Sequence, residues 1–163
     1  MKRNFTKKNT TKRVNSNMHI YLGADHRGFQ LKDELMTWLS GRQIPFTDFG
    51  AMSYDAEDDY NDYAKKVAQA IINNPDQNDF GILLCGSGQG MAMQANRYKG
   101  IRAALCHDAI EAMETRGHND ANVLCISADE DASKIYEIIN AFMDTKPIPE
   151  EKYQRRCKKL DED

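Results

Sequence analysis

The chain predicts a three-layer α/β/α, Rossmann-like fold built on a five-stranded parallel sheet. Three observations carry this expectation. From Met18 onward, short apolar runs alternate with amphipathic segments, the pattern of βαβ units whose helices cover both faces of a parallel sheet. Within the first amphipathic segment Phe29, Leu31, Leu35, Met36, Trp38 and Leu39 recur on one side, with Lys32, Asp33 and Glu34 opposite, which is the helical period. The apolar run Phe80-Gly81-Ile82-Leu83-Leu84 leads straight into Cys85-Gly86-Ser87-Gly88-Gln89-Gly90 and then a helix-compatible stretch, a strand–turn–helix signature.

Taken in order, strands are expected at about 18–23, 44–49, 79–85, 101–105 and 121–126. Helices are expected at about 28–41, 60–73, 89–97, 107–116, 131–144 and 149–160. The first strand rests on the run Ile20–Ala24, the third on Phe80–Leu84 and the fifth on Val123–Ile126. The acidic stretch Asp55-Ala56-Glu57-Asp58-Asp59 reads as a solvated loop before the second helix rather than a metal site. Arg116–Asp120 reads as a polar turn entering the fifth strand. Pro147 and Pro149 separate the fifth helix from a basic final one, which is expected to pack on a neighbour rather than on its own sheet. Crossovers of this kind are right-handed.

Composition narrows the function. At 163 residues the chain is long enough for one domain with a buried core, and 40% apolar residues suit a globular protein. No run approaches the roughly 18–20 apolar residues of a membrane span. Residues 1–17 carry six basic side chains (Lys2, Arg3, Lys7, Lys8, Lys12 and Arg13) and no acid, so with a net charge of −3 the remainder, residues 18–163, carries −9. That acidic body argues against nucleic acid, because phosphate neutralisation needs a basic face. The first 17 residues are polar, have no apolar h-region, and read as a disordered extension before a domain that begins at Met18. Cysteines stand at 85, 106, 125 and 157, without CxxC or zinc spacing, which suits reduced thiols in a cytoplasmic protein.

Three polar groups end or precede apolar runs: Cys85–Gly90, Asp25-His26 after Ile20–Ala24, and His118-Asn119 before Val123–Ile126. In a parallel sheet, ligands bind beyond the carboxyl ends of the strands, so Asp25-His26 and Cys85–Gly90 are expected to share one site. The glycine turn is no dinucleotide fingerprint, since Met91 stands where the last glycine belongs, and no Gly-Lys-Ser/Thr follows. A Cys-x5-Arg phosphatase is excluded by the same Met91. Two readings of the turn stand: an anion cradle of converging N–H groups with a thiol at its mouth, or a tight turn needed for strand–helix packing. A thiol at such a rim sits where a thiolate is favoured, yet a strand cysteine also serves as a small core hydrophobe. Asp25-His26 reads either as a cap for the first helix or as catalytic, and the two are compatible. His118 is either a solvated loop histidine or an acid/base. Lys152 and Arg156, spaced i,i+4, either form part of a solvated face or grip one phosphate.

Several segments, in order, resemble the type B ribose-5-phosphate isomerase family, which includes allose- and galactose-6-phosphate isomerases. Gly23-Ala24-Asp25-His26-Arg27-Gly28-Phe29 resembles its G-x-D-H-x-G-F, Asp59-Tyr60 its D-Y-P, and Cys85–Gly90 its C-G-S/T-G-x-G. Ala95-Asn96-Arg97 with Gly100-Ile101-Arg102-Ala103 resembles A-N-K-x-x-G-I-R-A, and Arg116–Leu124 resembles R-x-H-N-x-x-N-V-L. The likeness spans essentially residues 18–160 and favours the functional readings of Cys85 and His118.

The resemblance implies an aldose–ketose isomerase that works through a cis-enediolate without metal or other cofactor. It implies Cys85 as the base moving a proton between C2 and C1, with Ser87 assisting. Some members carry a glutamate six residues on, but Met91 stands here, so the thiol must serve. Asp25 would move the proton between O1 and O2. His118 would open the sugar ring, a task suited to an imidazole. Gly86, Gly88, Gln89 and Gly90 would offer N–H groups to the enediolate oxygens. Asn119 would hold substrate oxygens, Tyr60 would line the pocket, and His26, Lys152 and Arg156 would face the phosphate. The resemblance also implies a homodimer or dimer of dimers whose active site is shared between subunits, acting on a small sugar phosphate, with no membrane or nucleic-acid partner. Three positions depart from the pattern. Asp129 stands where many members have an arginine, and would repel a phosphate if it faced one; Lys152 replaces another arginine; Asn61 replaces the proline after Tyr60. Ribose 5-phosphate is the expected substrate. A hexose 6-phosphate, or a non-catalytic sugar-phosphate-binding role, are the alternatives.

Overall fold

The computed structural model describes residues 18–76 and 78–162, so the extension expected over residues 1–17 lies outside the described residues. Five strands, β1 (Ile20–Ala24), β2 (Phe46–Asp48), β3 (Phe80–Cys85), β4 (Ala103–Leu105) and β5 (Val123–Ser127), alternate with α1 (Phe29–Gly41), α2 (Tyr60–Asn73), α3 (Gln89–Ala95), α4 (Ala109–Asn119) and α5 (Ala132–Asp144). A last helix, α6 (Glu151–Glu162), follows. The strands pair in parallel in the order β2-β1-β3-β5-β4, the expected α/β architecture.

The pleat sorts the strand side chains into two cores. Ile20, Leu22, Ile82, Leu84, Leu124 and Ile126 point toward Leu31, Leu35 and Leu39 of α1 and Ile135, Ile138, Ile139 and Phe142 of α5. Tyr21, Leu83, Cys85, Val123 and Cys125 point the other way, toward Ala64, Val67, Ala68 and Ile71 of α2 and Met91 and Ala95 of α3. Both faces are covered, so strands β1, β3 and β5 are buried along their whole length.

Three local differences from the sequence expectation have identifiable causes. Lys32, expected on the solvent side of α1, is 1% exposed because Asp48 at the end of β2 meets its ammonium at 2.5 Å. β4 starts at Ala103 rather than 101: the Arg102 N–H bonds the Asn122 side-chain Oδ1 at 2.9 Å, not a strand carbonyl. On the outer edge of β4 the Asn96 amide bonds both the N–H and the C=O of Ala103 at 2.8 Å. Finally, His118 and Asn119 do not lie in a turn but in the last turn of α4, which Asp108 caps at its start by accepting from the Glu111 N–H at 2.9 Å. At its other end Asp120, at φ 47°, closes the helix with its N–H on the Arg116 carbonyl at 3.1 Å.

None of the residues of α6 is buried, and it lies against α4 of the same chain rather than on the sheet. Arg102 anchors it through Asp161 at 2.7 Å. Among the described residues, no helix is long and apolar enough to cross a membrane.

Candidate active site

The chain leaves β1 through α1 toward β2 and leaves β3 through α3 toward β4, in opposite directions. The carboxyl ends of β1 and β3 therefore open a crevice at the topological switch point, where ligands bind in such sheets. Ala24 pairs with Leu84, so the next residues, Asp25 and Cys85, emerge at one level. The Asp25 N–H donates to the Leu84 carbonyl at 3.2 Å and locks that alignment.

The glycine turn is built around the thiol. Cys85 is 5% exposed, and its sulfur accepts the Gly88 N–H at 3.1 Å. Gly88 reaches that geometry at φ +75°, and a Cβ there would come 2.6 Å from Leu105 Cδ1, so both conformation and space require glycine. Tyr60, the first residue of α2, lays its ring over Gly90, where a Cβ would stand 2.7 Å from Cζ. Ser87 and Gln89 face solvent at the rim. Ser87 Oγ takes a long 3.4 Å contact from the Gln89 N–H, and the donor that reaches the sulfur is Gly88. Met91, six residues after Cys85, is fully buried in the core beneath the turn. Elsewhere in the chain, burial pushes the Cys106 thiol up to about 12, and Cys125 is also raised by burial.

Asp25 is 6% exposed, and Oδ1 accepts the N–H groups of Arg27 at 2.9 Å and Gly28 at 3.1 Å. It does not cap α1, whose N-cap is Gly28 with no side-chain cap; it closes the turn before it. Burial raises its carboxyl, outweighing the backbone donors that oppose this. Such a shift suits a group that must accept and return a proton.

His26 turns toward the acidic loop. Asp58 Oδ1 accepts both the His26 backbone N–H at 3.1 Å and the ring Nδ1 at 2.7 Å. Asp58 is therefore not solvated, as the loop was expected to be, but 7% exposed at its side chain. The hydrogen bond to Asp58 raises His26. Burial pushes Asp58 up, yet the bonds from His26 outweigh it and hold the carboxyl below its ordinary range. Tyr63 sits against the same carboxylate; burial first, then Asp58, pushes its phenol up to about 12. Asp25, His26 and Asp58 offer ligand atoms within 4.8 Å of one another, and within the trio His26 Nδ1 and Asp58 Oδ1 share a hydrogen bond.

The remaining residues stand elsewhere. Cys85 pairs with Ser127, and Val123 begins β5 four residues earlier, roughly 13 Å along the strand. His118 and Asn119, at the end of α4, precede that point. They thus lie at the amino end of the sheet, on the opposite pole from Cys85. His118 lines a groove there with Met18, Ile44, Phe80 and Ile148, and its ring stacks on Tyr153 of α6 at 4.9 Å and 13°. Lys152 pairs with Glu150 at 3.2 Å, and Arg156 is exposed on the same helix. One chain unites Asp25, His26, Tyr60, Cys85, Ser87 and Gly86–Gly90, and leaves His118, Asn119, Lys152 and Arg156 apart. Asp129 meets no phosphate-binding group but the Arg27 guanidinium, whose Nη2 donates to both carboxylate oxygens at 2.8 Å. Sequence reasoning missed Asp58 and Arg27; the only signal was that Arg27 and Asp58 adjoin the Asp25-His26 and Asp59-Tyr60 motifs.

A thiol under a backbone donor, a buried carboxylate and a glycine turn at a switch-point crevice are the features of an enzyme pocket for a small ligand. A family model described as Ribose/Galactose Isomerase matches residues 20–160, and the chain belongs to this family. A probable ribose-5-phosphate isomerase B of Mycoplasma pneumoniae is 45% identical over 112 residues, 69% of this chain and 72% of the relative. A crystal structure of a Thermotoga maritima ribose 5-phosphate isomerase superposes with a TM-score of 0.83 at 41% identity, covering 90% of this chain and 99% of that one. A Mycoplasma genitalium ribose-5-phosphate isomerase B with bound ribulose-5-phosphate gives 0.84 at 36% identity, covering 90% and 95%.

Proposed function

We propose that this isomerase interconverts ribose 5-phosphate and ribulose 5-phosphate through a cis-enediolate, in sites built from two copies of the chain. The observation that carries the reading is the juxtaposition of Asp25 and Cys85 at one crevice, with the Gly88 N–H directed at the sulfur. The names of the relatives and the ribulose-5-phosphate bound to one of them support the substrate.

In this reading the Cys85 thiolate takes the proton from C2 of the open-chain aldose and, as the thiol, returns it to C1. Asp25 carries the O2 proton to O1, so the ketose forms with atoms and charge conserved. Backbone N–H groups of Gly86–Gly90 meet the charge on the enediolate oxygens, where donors count most. Tyr60 walls the pocket. His26, held by Asp58, faces the phosphate. His118 opens the ring, Asn119 holds substrate oxygens, and Lys152 and Arg156 add positive charge. These four come from the second copy, because within one chain they lie at the far pole of the sheet. The dimer, or a dimer of dimers, is thereby the unit of activity. The four thiols are free, which fits a reducing cytoplasm.

The test is turnover of a panel of pentose, hexose and tetrose phosphates by the wild type and Cys85→Ala. Ribose 5-phosphate should be the best substrate. The variant should lose roughly 10²–10⁴-fold in rate, the usual contribution of a general acid–base group, with an unchanged circular dichroism spectrum. Retention of more than about a tenth of the rate would remove Cys85 from its role. A preference for hexose 6-phosphates would change the substrate, and no turnover of any sugar phosphate would leave a binding protein.

A further inference from the structure

Arg27 belongs to the turn after β1, and its backbone N–H is one of the two donors that fix Asp25. Its guanidinium lies across the glycine cradle: a Cβ on Gly86 would stand 3.3 Å from Arg27 Cζ and 3.5 Å from Nη1. Any side chain at 86 would thus press on the cation.

Asp129 secures it there. Nη2 donates to both Asp129 oxygens at 2.8 Å. The segment carrying Asp129 is itself bonded to the cradle. The Ala128 N–H donates to the Cys85 carbonyl at 2.8 Å, the Ser127 hydroxyl to the Gly86 carbonyl at 2.6 Å, and the Asp129 N–H to Ser127 Oγ at 3.2 Å. A closed ring runs Gly86, Ser127, Asp129, Arg27 and back to Gly86. The side chains of Arg27 and Asp129 are 53% and 65% exposed, and so open an ion pair contributes little to stability. What the pair does is fix where the guanidinium stands. The groups that favour its charge are Asp129 first, then Asp25 and Cys85, the two residues assigned the proton transfers. Nε and Nη1 make no hydrogen bond to any described residue, so that part of the planar donor fork is open to a ligand.

We propose that Arg27 is a substrate-binding residue whose guanidinium binds the reacting end of the sugar and stabilises the enediolate, and that Asp129 is a positioning residue that holds it over the cradle. The inference rests on the isomerase reading above. A cation placed where negative charge develops acts more on the transition state than on the ground state, so its loss falls mainly on kcat.

The experiment compares wild type, Arg27→Met, Arg27→Lys, Asp129→Asn and the Arg27→Met/Asp129→Asn double variant, with thermal melts to confirm folding. Two inhibitors separate the ends of the substrate: a phosphorylated hydroxamate carrying the planar charge of the enediolate, and a phosphorylated polyol without it. Arg27→Met should lower kcat about 10–100-fold and weaken the hydroxamate comparably while leaving the polyol unchanged, and Arg27→Lys should recover part of both. Asp129→Asn should lower kcat a few-fold alone and add nothing in the Arg27→Met background, because a positioning residue acts through the group it holds. If Arg27→Met keeps wild-type kcat and hydroxamate affinity, the inference is overturned while the isomerase reading stands. Equal weakening of both inhibitors would put the guanidinium on the phosphate and overturn it likewise. An additive double variant would overturn the role of Asp129. A wild type that isomerises no sugar phosphate would overturn the isomerase reading, and this inference with it.

Discussion

Each residue of the crevice gains its character from one neighbour. The imidazole of His26 is favoured in its charged form by Asp58, and Asp58 in its charged form by His26. The consequence for stability follows from the two directions. His26 is raised above the free imidazole value of about 6.5, so its contribution is whole below that value and is lost as the pH rises through the raised one. Asp58 is lowered, so its contribution is present above the free carboxylate value and is lost as the pH falls through the depressed one. Asp58→Asn removes the partner. An NMR titration of His26 should then show its midpoint above about 6.5 in the wild type and lower in Asp58→Asn. Phosphate binding should be lost at correspondingly lower pH in the variant. An unmoved midpoint would show that the 2.7 Å contact does not govern the imidazole.

At the scale of elements, the register that aligns Asp25 with Cys85 depends on how β1 is held between β2 and β3. Lys32 ties α1 to the end of β2, with its ammonium fully enclosed and 2.5 Å from Asp48. Removing one partner of a buried pair leaves an unpaired charge, at a cost of about 3–5 kcal/mol. Asp48 keeps 19% exposure and a second bond from the Gly50 N–H at 2.8 Å, so Lys32→Ala should fall at the lower end, about 3 kcal/mol by denaturant unfolding. Lys32→Met combined with Asp48→Asn should recover part of that loss, because apolar replacement of a buried pair is far less costly than its rupture. A Lys32→Ala variant as stable as wild type would show that the pair merely fills space.

For the whole molecule, the decisive fact is polarity. In a parallel sheet every helix returns the chain to the amino edge, so a residue at the end of α4 cannot meet one at the end of β3 within the same chain. A site shared between copies makes a quantitative prediction. Cys85→Ala and His118→Asn homodimers should each be impaired on cyclic ribose 5-phosphate. Unfolded and refolded together in equal amounts, they should form hybrids in which one of two sites carries both intact residues. With random pairing, about a quarter of the wild-type activity returns, by the two-fold symmetry of such an interface. No recovery above the mean of the parents would show that the two residues serve the same chain or different functions. The stacking of His118 on Tyr153 makes α6 part of the same surface, so Tyr153→Ala should lower the activity of an otherwise intact dimer by loosening that imidazole.

The order of strands and helices was legible in the chain because it depends on local periodicity, and so was the crevice, because a glycine turn and an Asp-His pair each follow an apolar run. Cys85 and Asp25 sit where that reasoning places them, at adjacent strand ends. The partnerships were not legible. Lys32 with Asp48 is separated by 16 residues, His26 with Asp58 by 32 and Arg27 with Asp129 by 102, and no periodicity couples charges at such distances. Only the folded sheet decides that Lys32 is inside, that Asp58 leaves solvent, and that Asp129 meets a cation. It also decides that His118 ends a helix at the far pole. Side-chain burial and ion pairing are properties of surfaces brought together by folding, whereas the propensity to form strand, turn or helix resides in a few consecutive residues.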